Sequence, residues 1–127
     1  MATNKSPKPT DAELGILNVL WTHGALTVKE IHEIMGEETG YTTTLKLLQN
    51  MTEKGLVTRN ESQRAHVYQA KHTEIDTQHQ LLTGLLQKAF RGSTSQLVIR
   101  ALTSKRATPQ DLAEIKKLIE RLAKENK

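Results

Sequence analysis

The chain has 127 residues, a net charge of +4 and a pI near 9.4; apolar residues make up 36% and there is no cysteine. Disulfides, thiolate catalysis and cysteine metal sites are therefore excluded, and the length allows one domain or a small domain with an appendage. No window approaches the roughly 18 apolar residues of a membrane span, and the polar opening MATNKSPKPT has no apolar run of the kind a signal peptide needs, so a cytoplasmic protein with no membrane association is expected.

Residues 1–9, with Lys5, Pro7, Lys8 and Pro9, read as a flexible basic arm. Thr10 to Glu13 form a capping box, and the first helix runs from there to about His23, where Gly24 is a natural stop. Leu14, Leu17 and Trp21 make one apolar face, and Ile16, Val19 and Leu20 cover much of the rest, so this helix is buried on more than one side. Ala25-Leu26 suggests a very short strand. Thr27 to Glu30 form a second capping box flanked by Leu26 and Ile31 at the staple positions. The second helix spans Val28 to about Met35, with Val28, Ile31, Ile34 and Met35 inward.

The third helix opens after Gly40 and ends at Lys54-Gly55. At about 100° per residue, Thr44, Leu45, Leu47, Leu48 and Met51 fall on one side. Thr42, Thr43, Lys46, Gln49, Asn50 and Glu53 fall on the other. The first set anchors a core; the second is a row of hydrogen-bonding side chains of the kind a major groove accepts. Tyr41 at the helix start either meets the DNA backbone or covers the junction between the first two helices. Leu56 to Asn60 and Ala65 to Ala70 alternate as strands, with the turn at Glu61 to Arg64. Without Asn-Gly or Asp-Gly the loop should be loose. Three helices and a hairpin in this order make a winged helix-turn-helix over residues 10–72. Its recognition helix lies in the major groove, and the wing, with Arg59, Arg64 and His66, reaches neighbouring phosphate or the minor groove.

From Thr73 the pattern is helical only. A fourth helix covers about Glu74 to Phe90, where Gly84 suggests close packing or a bend. A short fifth runs from about Ser95 to Leu102. Thr108-Pro109-Gln110-Asp111 starts a sixth, in which Leu112, Ile115, Ile119 and Leu122 recur at 3-4-3 spacing beside Leu118. With Leu82, Leu86 and Leu97 these residues offer more apolar face than a small winged helix can cover. Residues 73–127 are expected to be a three-helix dimerisation region, the alternative being a cap on the first helix within one chain. The expected fold class is mainly α with a small β-hairpin: a winged helix-turn-helix domain followed by a helical dimerisation region.

Charge follows the same division. Residues 10–40 carry Asp11, Glu13, Glu30, Glu33, Glu37 and Glu38 against Lys29 alone, whereas residues 41–72 carry Lys46, Lys54, Arg59, Arg64 and Lys71 against Glu53 and Glu61. The basic surface thus begins with the third helix, as for one face turned toward a polyanion. Five scattered histidines match no metal or catalytic spacing, and no nucleophile motif is present. No enzyme activity, cofactor or metal is expected.

LGILNVLW, YTTTLKLLQNMTEKGLVTR, RAHVYQA and the three-helix tail together resemble the penicillinase-repressor family (the BlaI/MecI/CopY group), over Thr10 to about Leu122. The resemblance implies a dimeric winged-helix repressor on a dyad-symmetric operator. It places the groove-facing residues at Thr42, Thr43, Lys46 and Asn50. The family often has a basic residue at the position of Asn50, which implies a different operator. Where resistance members carry a cleavable Asn-Phe bond, this chain has Arg100 and Ala101, which argues against release by that protease. A copper-binding cysteine hook is absent. Double-stranded operator DNA and a second copy are the expected partners; an upstream sensor or protease stays unidentified. The alternative is a winged helix that binds protein without DNA, whose recognition face would carry exposed apolar anchors.

Overall fold

The computed structural model describes residues 8–36, 38–104 and 106–126; Lys5 and most of the expected N-terminal arm lie outside them. The helices are α1 (Asp11–His23), α2 (Val28–Met35), α3 (Tyr41–Lys54), α4 (Glu74–Phe90), α5 (Thr94–Thr103) and α6 (Pro109–Glu125), and the strands are β1 (Leu26–Thr27), β2 (Val57–Asn60) and β3 (Val67–Ala70). The chain divides into two compact units, Met1–Leu81 and Leu82–Lys127.

Local signals set most helix ends in the first unit. The Thr10 hydroxyl accepts from the Glu13 backbone N–H at 3.2 Å while the Glu13 carboxylate accepts from Thr10 N–H at 2.9 Å. Thr27 and Glu30 repeat the pattern at α2. Each box satisfies two backbone donors that a helix start leaves open. At the other end of α3, Gly55 adopts φ 84°. Its N–H donates to Thr52, and Leu56 N–H donates to Met51 O at 2.9 Å, the paired bonds of a Schellman stop. Leu56 and Met51 are both buried, so the stop is also a core contact. Gly55→Ala should lower stability by about 1–2 kcal/mol, the cost of a left-handed side-chain residue, read as a shifted urea midpoint. Steric space is not the reason, since the added methyl meets only Lys71 Nζ at 3.9 Å.

The core is Ile16, Leu17 and Leu20 of α1, Val28 and Ile31 of α2, Leu48 and Met51 of α3, and Leu56, Val57 and Tyr68 around the sheet. Leu14 and Trp21 are only partly buried against it. The Trp21 indole N–H donates to the His72 carbonyl at 3.0 Å, tying α1 to the segment that leads into α4. Ile34 departs from its expected inward position, with 44% of its surface exposed. At 100° per residue it lies roughly 120° round the helix from Val28, whereas Met35 falls beside Val28.

The sheet has three strands, the hairpin and the short strand expected at Ala25-Leu26, which lies one residue on as β1, in the order β1-β3-β2 and antiparallel throughout. Leu26 pairs with Tyr68 and Thr27 with Val67 across β1 and β3; Val57 pairs with Ala70 and Arg59 with Tyr68 across β2 and β3. The expected strand Ala65 to Ala70 begins two residues later, at Val67. Asn60 Oδ1 accepts from Ser62 N–H at 2.9 Å, closing a local turn at the start of the loop. Residues 61–66 then form an exposed loop rather than a tight turn.

In the second unit no residue of α5 or α6 is buried. Ser93 caps α5 through the Gln96 N–H, and Thr108 and Asp111 form a third capping box at α6. Leu82, Leu112, Leu118, Ile119 and Leu122 are exposed, while Leu86, Leu97 and Ile115 are half-buried. Gly84 is not closely packed within the described residues: a methyl added there meets nothing within 4 Å, and α4 continues through it.

Candidate nucleic-acid interface

The outward face of α3 carries the candidate site. Thr42, Thr43, Lys46, Gln49 and Asn50 are all exposed, as is Glu53, while Thr44, Leu48 and Met51 are buried and Leu45 and Leu47 partly so. The burial of one side fixes the rotation of the helix and so the direction of the other. From Thr42 to Asn50 the row extends about 12 Å at 1.5 Å per residue, a length comparable to three or four stacked base pairs. Lysine donates to guanine O6 and N7, asparagine pairs with adenine N6 and N7, and threonine offers a hydroxyl and a methyl. Lys46 has no ion-pair partner among the described residues.

The start of α3 differs from that of α1, α2 and α6. Those three carry a capping box with an acidic residue in the first turn. At α3 the cap is Gly40, with no side-chain hydrogen bond, and the first turn has no acid. The positive end of the helix dipole is therefore not offset by a carboxylate. Tyr41 sits at this end, 48% exposed. Its ring meets the His32 ring of α2 edge-on at 5.8 Å, a contact between α2 and α3 rather than over the expected junction of the first two helices, and it still presents surface outward.

The wing separates its two arginines. Arg59 on β2 is ion-paired with Glu61. The Tyr68 hydroxyl and the Glu61 carboxylate stabilise the charged guanidinium and hold its pKa above the usual arginine value. Arg64 in the loop is exposed with no such partner among the described residues, and His66 beside it is exposed as well. Arg64 is thus the freer cation, although sequence position alone ranks the two equally.

Two features escape the sequence reading. Lys54 serves as more than a cation at a helix end: its Nζ donates to Glu13 Oε1 at 2.6 Å, and the Glu13 side chain is only 4% exposed. The end of α3 is thereby clamped to the start of α1. Burial alone raises the Glu13 pKa, but the hydrogen bonds from Lys54 and from the Thr10 backbone, with the lysine charge, bring it below the ordinary glutamate value. The pair spans 41 positions, and no local pattern announces it. The second is Lys29, at the start of α2, which lines a cleft together with Arg64 and His66 of the wing. Its signal was available, because it is the one lysine or arginine in residues 10–40.

A family model described as penicillinase repressor matches residues 9–121. The chain belongs to the penicillinase repressor family. The penicillinase repressor of Bacillus licheniformis is 21% identical over 118 residues, which is 91% of this chain and 92% of that protein. The solution structure of the DNA-binding domain of the repressor BlaI is 25% identical, covers 58% of this chain and 93% of that one, and superposes with a TM-score of 0.50. Monomeric Bacillus licheniformis BlaI in complex with the blaP half-operator is 26% identical over 57% of this chain and 90% of that one, also at 0.50. A complex of hsRosR-S4, 16% identical with a TM-score of 0.52, covers 96% of both chains and supports the fold along its whole length. The fold is a winged helix followed by a helical region. Where family resemblance pointed to a cleavable bond, the repressor-family chain has Arg100 and Ala101, both exposed on α5.

Proposed function

We propose that this penicillinase repressor family chain is a sequence-specific DNA-binding repressor, acting as a homodimer on a dyad-symmetric operator. The observation that carries the reading is the exposed polar face of α3, in which Thr42, Thr43, Lys46, Gln49 and Asn50 stand on one side of a helix anchored by Thr44, Leu48 and Met51. A helix so presented enters the major groove and reads base edges, and α2 crosses the backbone. Arg64 of the wing, and Arg59 once it leaves Glu61, supply sequence-independent contacts. A relative's structure with a half-operator supports DNA as the ligand. A protein-binding face would carry apolar anchors in this row, and it holds none.

The apolar residues left exposed on α4 and α6 support pairing with a second copy. A two-fold dimer places two α3 helices about one helical turn of DNA apart, or a multiple of it. Repression then follows from occupying promoter DNA. Family membership supports a regulator rather than an enzyme, and the absence of an apolar helix long enough to cross a membrane, among the described residues, fits a soluble cytoplasmic repressor.

Selecting bound fragments from the source genome should recover a recurring two-fold motif. On that motif Lys46→Ala should weaken binding by about 1–3 kcal/mol, the discrimination of one good base contact, in a gel-shift titration. Unchanged affinity would remove Lys46 from the reading set, and recovery of no common motif would overturn sequence-specific binding.

A further inference from the structure

A cleft of about 340 Å³ opens where the start of α2, the start of α3 and the wing converge, and Lys29, Tyr41, Arg64 and His66 line it. We infer that this cleft seats one phosphodiester of the DNA backbone, held jointly by Lys29 and Arg64. The inference rests on the DNA-binding reading and deepens it, by assigning a particular anion site at the edge of the recognition helix.

The argument begins with charge placement. Residues 10–40 are strongly acidic, and their one lysine or arginine is Lys29. That single cation lines the cleft together with Arg64, which comes from the wing 35 positions later in the chain. Both cations line a cleft that has no carboxylate among its lining residues, so the positive charge there is uncompensated, and a bound anion offsets it. Neither takes part in an ion pair among the described residues. The nearest acid in sequence, Glu30, has its carboxylate engaged by the Thr27 backbone N–H at 2.9 Å. The wing's own acid, Glu61, is engaged by Arg59.

The donor set fits a phosphodiester. The lysine ammonium and the arginine guanidinium both pair with phosphate oxygens. The Tyr41 hydroxyl and a His66 ring N–H are neutral donors of the kind that backbone contacts employ. Val28, which is buried, and Leu45, which is partly so, also line the cleft and give it apolar surface suited to the deoxyribose beside a phosphate. Tyr41 and Leu45 belong to α3 itself, so an anion here is adjacent to the groove-reading row. A phosphate held between α2 and the wing fixes how far α3 enters the groove, without reading sequence.

The test is the salt dependence of binding to a short random-sequence duplex, by fluorescence anisotropy, for the full chain and for Lys29→Ala, Arg64→Ala and both together. Each phosphate engaged contributes about 0.9 to the slope of log affinity against log salt. One shared phosphate predicts that the double variant loses about 0.9 in slope, that each single variant loses less, and that the two affinity losses do not add. Both side chains are exposed, and unchanged melting by circular dichroism should accompany every variant. A loss near 1.8 in the double variant, from two separate phosphates, overturns the proposal. So does a Lys29→Ala change without effect, alone or on top of Arg64→Ala. Failure of the unaltered chain to bind the duplex at all overturns the DNA-binding reading itself, and is distinct from either of these results.

Discussion

With aspartate at both Ile115 and Ile119, the protein should be a monomer of 14.3 kDa by light scattering and should lose about 100-fold or more in affinity for a two-half-site operator. Leu112, Ile115, Ile119 and Leu122 form a seam along α6, and Ile119 has 54% of its surface exposed in the single chain. In a monomer a carboxylate at Ile119 is solvated and one at the half-buried Ile115 partly so, whereas in a dimer both are forced into apolar surroundings, at a cost of several kcal/mol. The single chain should therefore keep its helical content while association fails. The DNA effect follows from linkage: two recognition helices on one body engage the second half-site at high effective concentration, which is worth 10²- to 10⁴-fold. Affinity for an isolated half-site should not change, because no residue of α3 or the wing is altered. A dimer that persists would place the seam elsewhere, with Leu82 of α4 the next residue to test. A monomer that still binds the full operator as tightly would show that the pairing does not couple the half-sites.

Features carried by short range were legible in the chain. Three capping boxes set the starts of α1, α2 and α6, since each needs only Thr and an acid three residues apart. The two-sided character of α3 followed from a 3.6-residue period, and the burial of Thr44, Leu48 and Met51 agrees with it. Ile34 was misplaced because an eight-residue helix holds too few apolar positions to define its inner face from spacing alone.

What stayed hidden depends on distance along the chain. A very short strand is legible at Ala25-Leu26, but two residues carry no alternation pattern, so the partners of β1, Val67 and Tyr68 about 40 positions away, are not. The wing loop absorbed Ala65 and His66 because no partner on β2 reaches them. The pairing of Arg59 with Glu61 could not be read from composition, since Glu61 looked like a turn residue, yet it separates an occupied arginine from the free one at Arg64. Trp21 read as core, but its indole N–H has a carbonyl partner 51 positions on. An amphipathic ring at a domain edge with its polar tip satisfied is a common outcome. In each case the missing information is a tertiary contact whose partners carry ordinary surface chemistry.

The Lys54–Glu13 clamp gives the second large effect, and it separates stability from DNA binding. Lys54→Met should lower stability by about 2–3 kcal/mol, below the range for breaking a fully buried pair, because Glu13 keeps the Thr10 N–H bond. Glu13→Gln should cost less, about 1–2 kcal/mol. The difference has a physical origin: removing the lysine strands a carboxylate that is 4% exposed, whereas removing the carboxylate frees an ammonium whose side chain is 32% exposed and can turn to water. The pH dependence follows from the sign of the shift. The Glu13 pKa is lowered in the folded chain, so its contribution is fully present above the ordinary glutamate value and is lost as pH falls through the folded one. Urea midpoints measured between neutral and acid pH should therefore drop more steeply for the unaltered protein than for Glu13→Gln. Equal slopes would mean that the clamp is not ionic. The same lysine stands at the end of α3, the proposed recognition helix, where a free cation would reach phosphate. Because its ammonium is committed to Glu13, Lys54→Met should leave the salt slope of duplex binding unchanged when measured well below its melting temperature. A loss of about 0.9 in that slope would instead make Lys54 a backbone contact and Glu13 the group that competes with DNA for it.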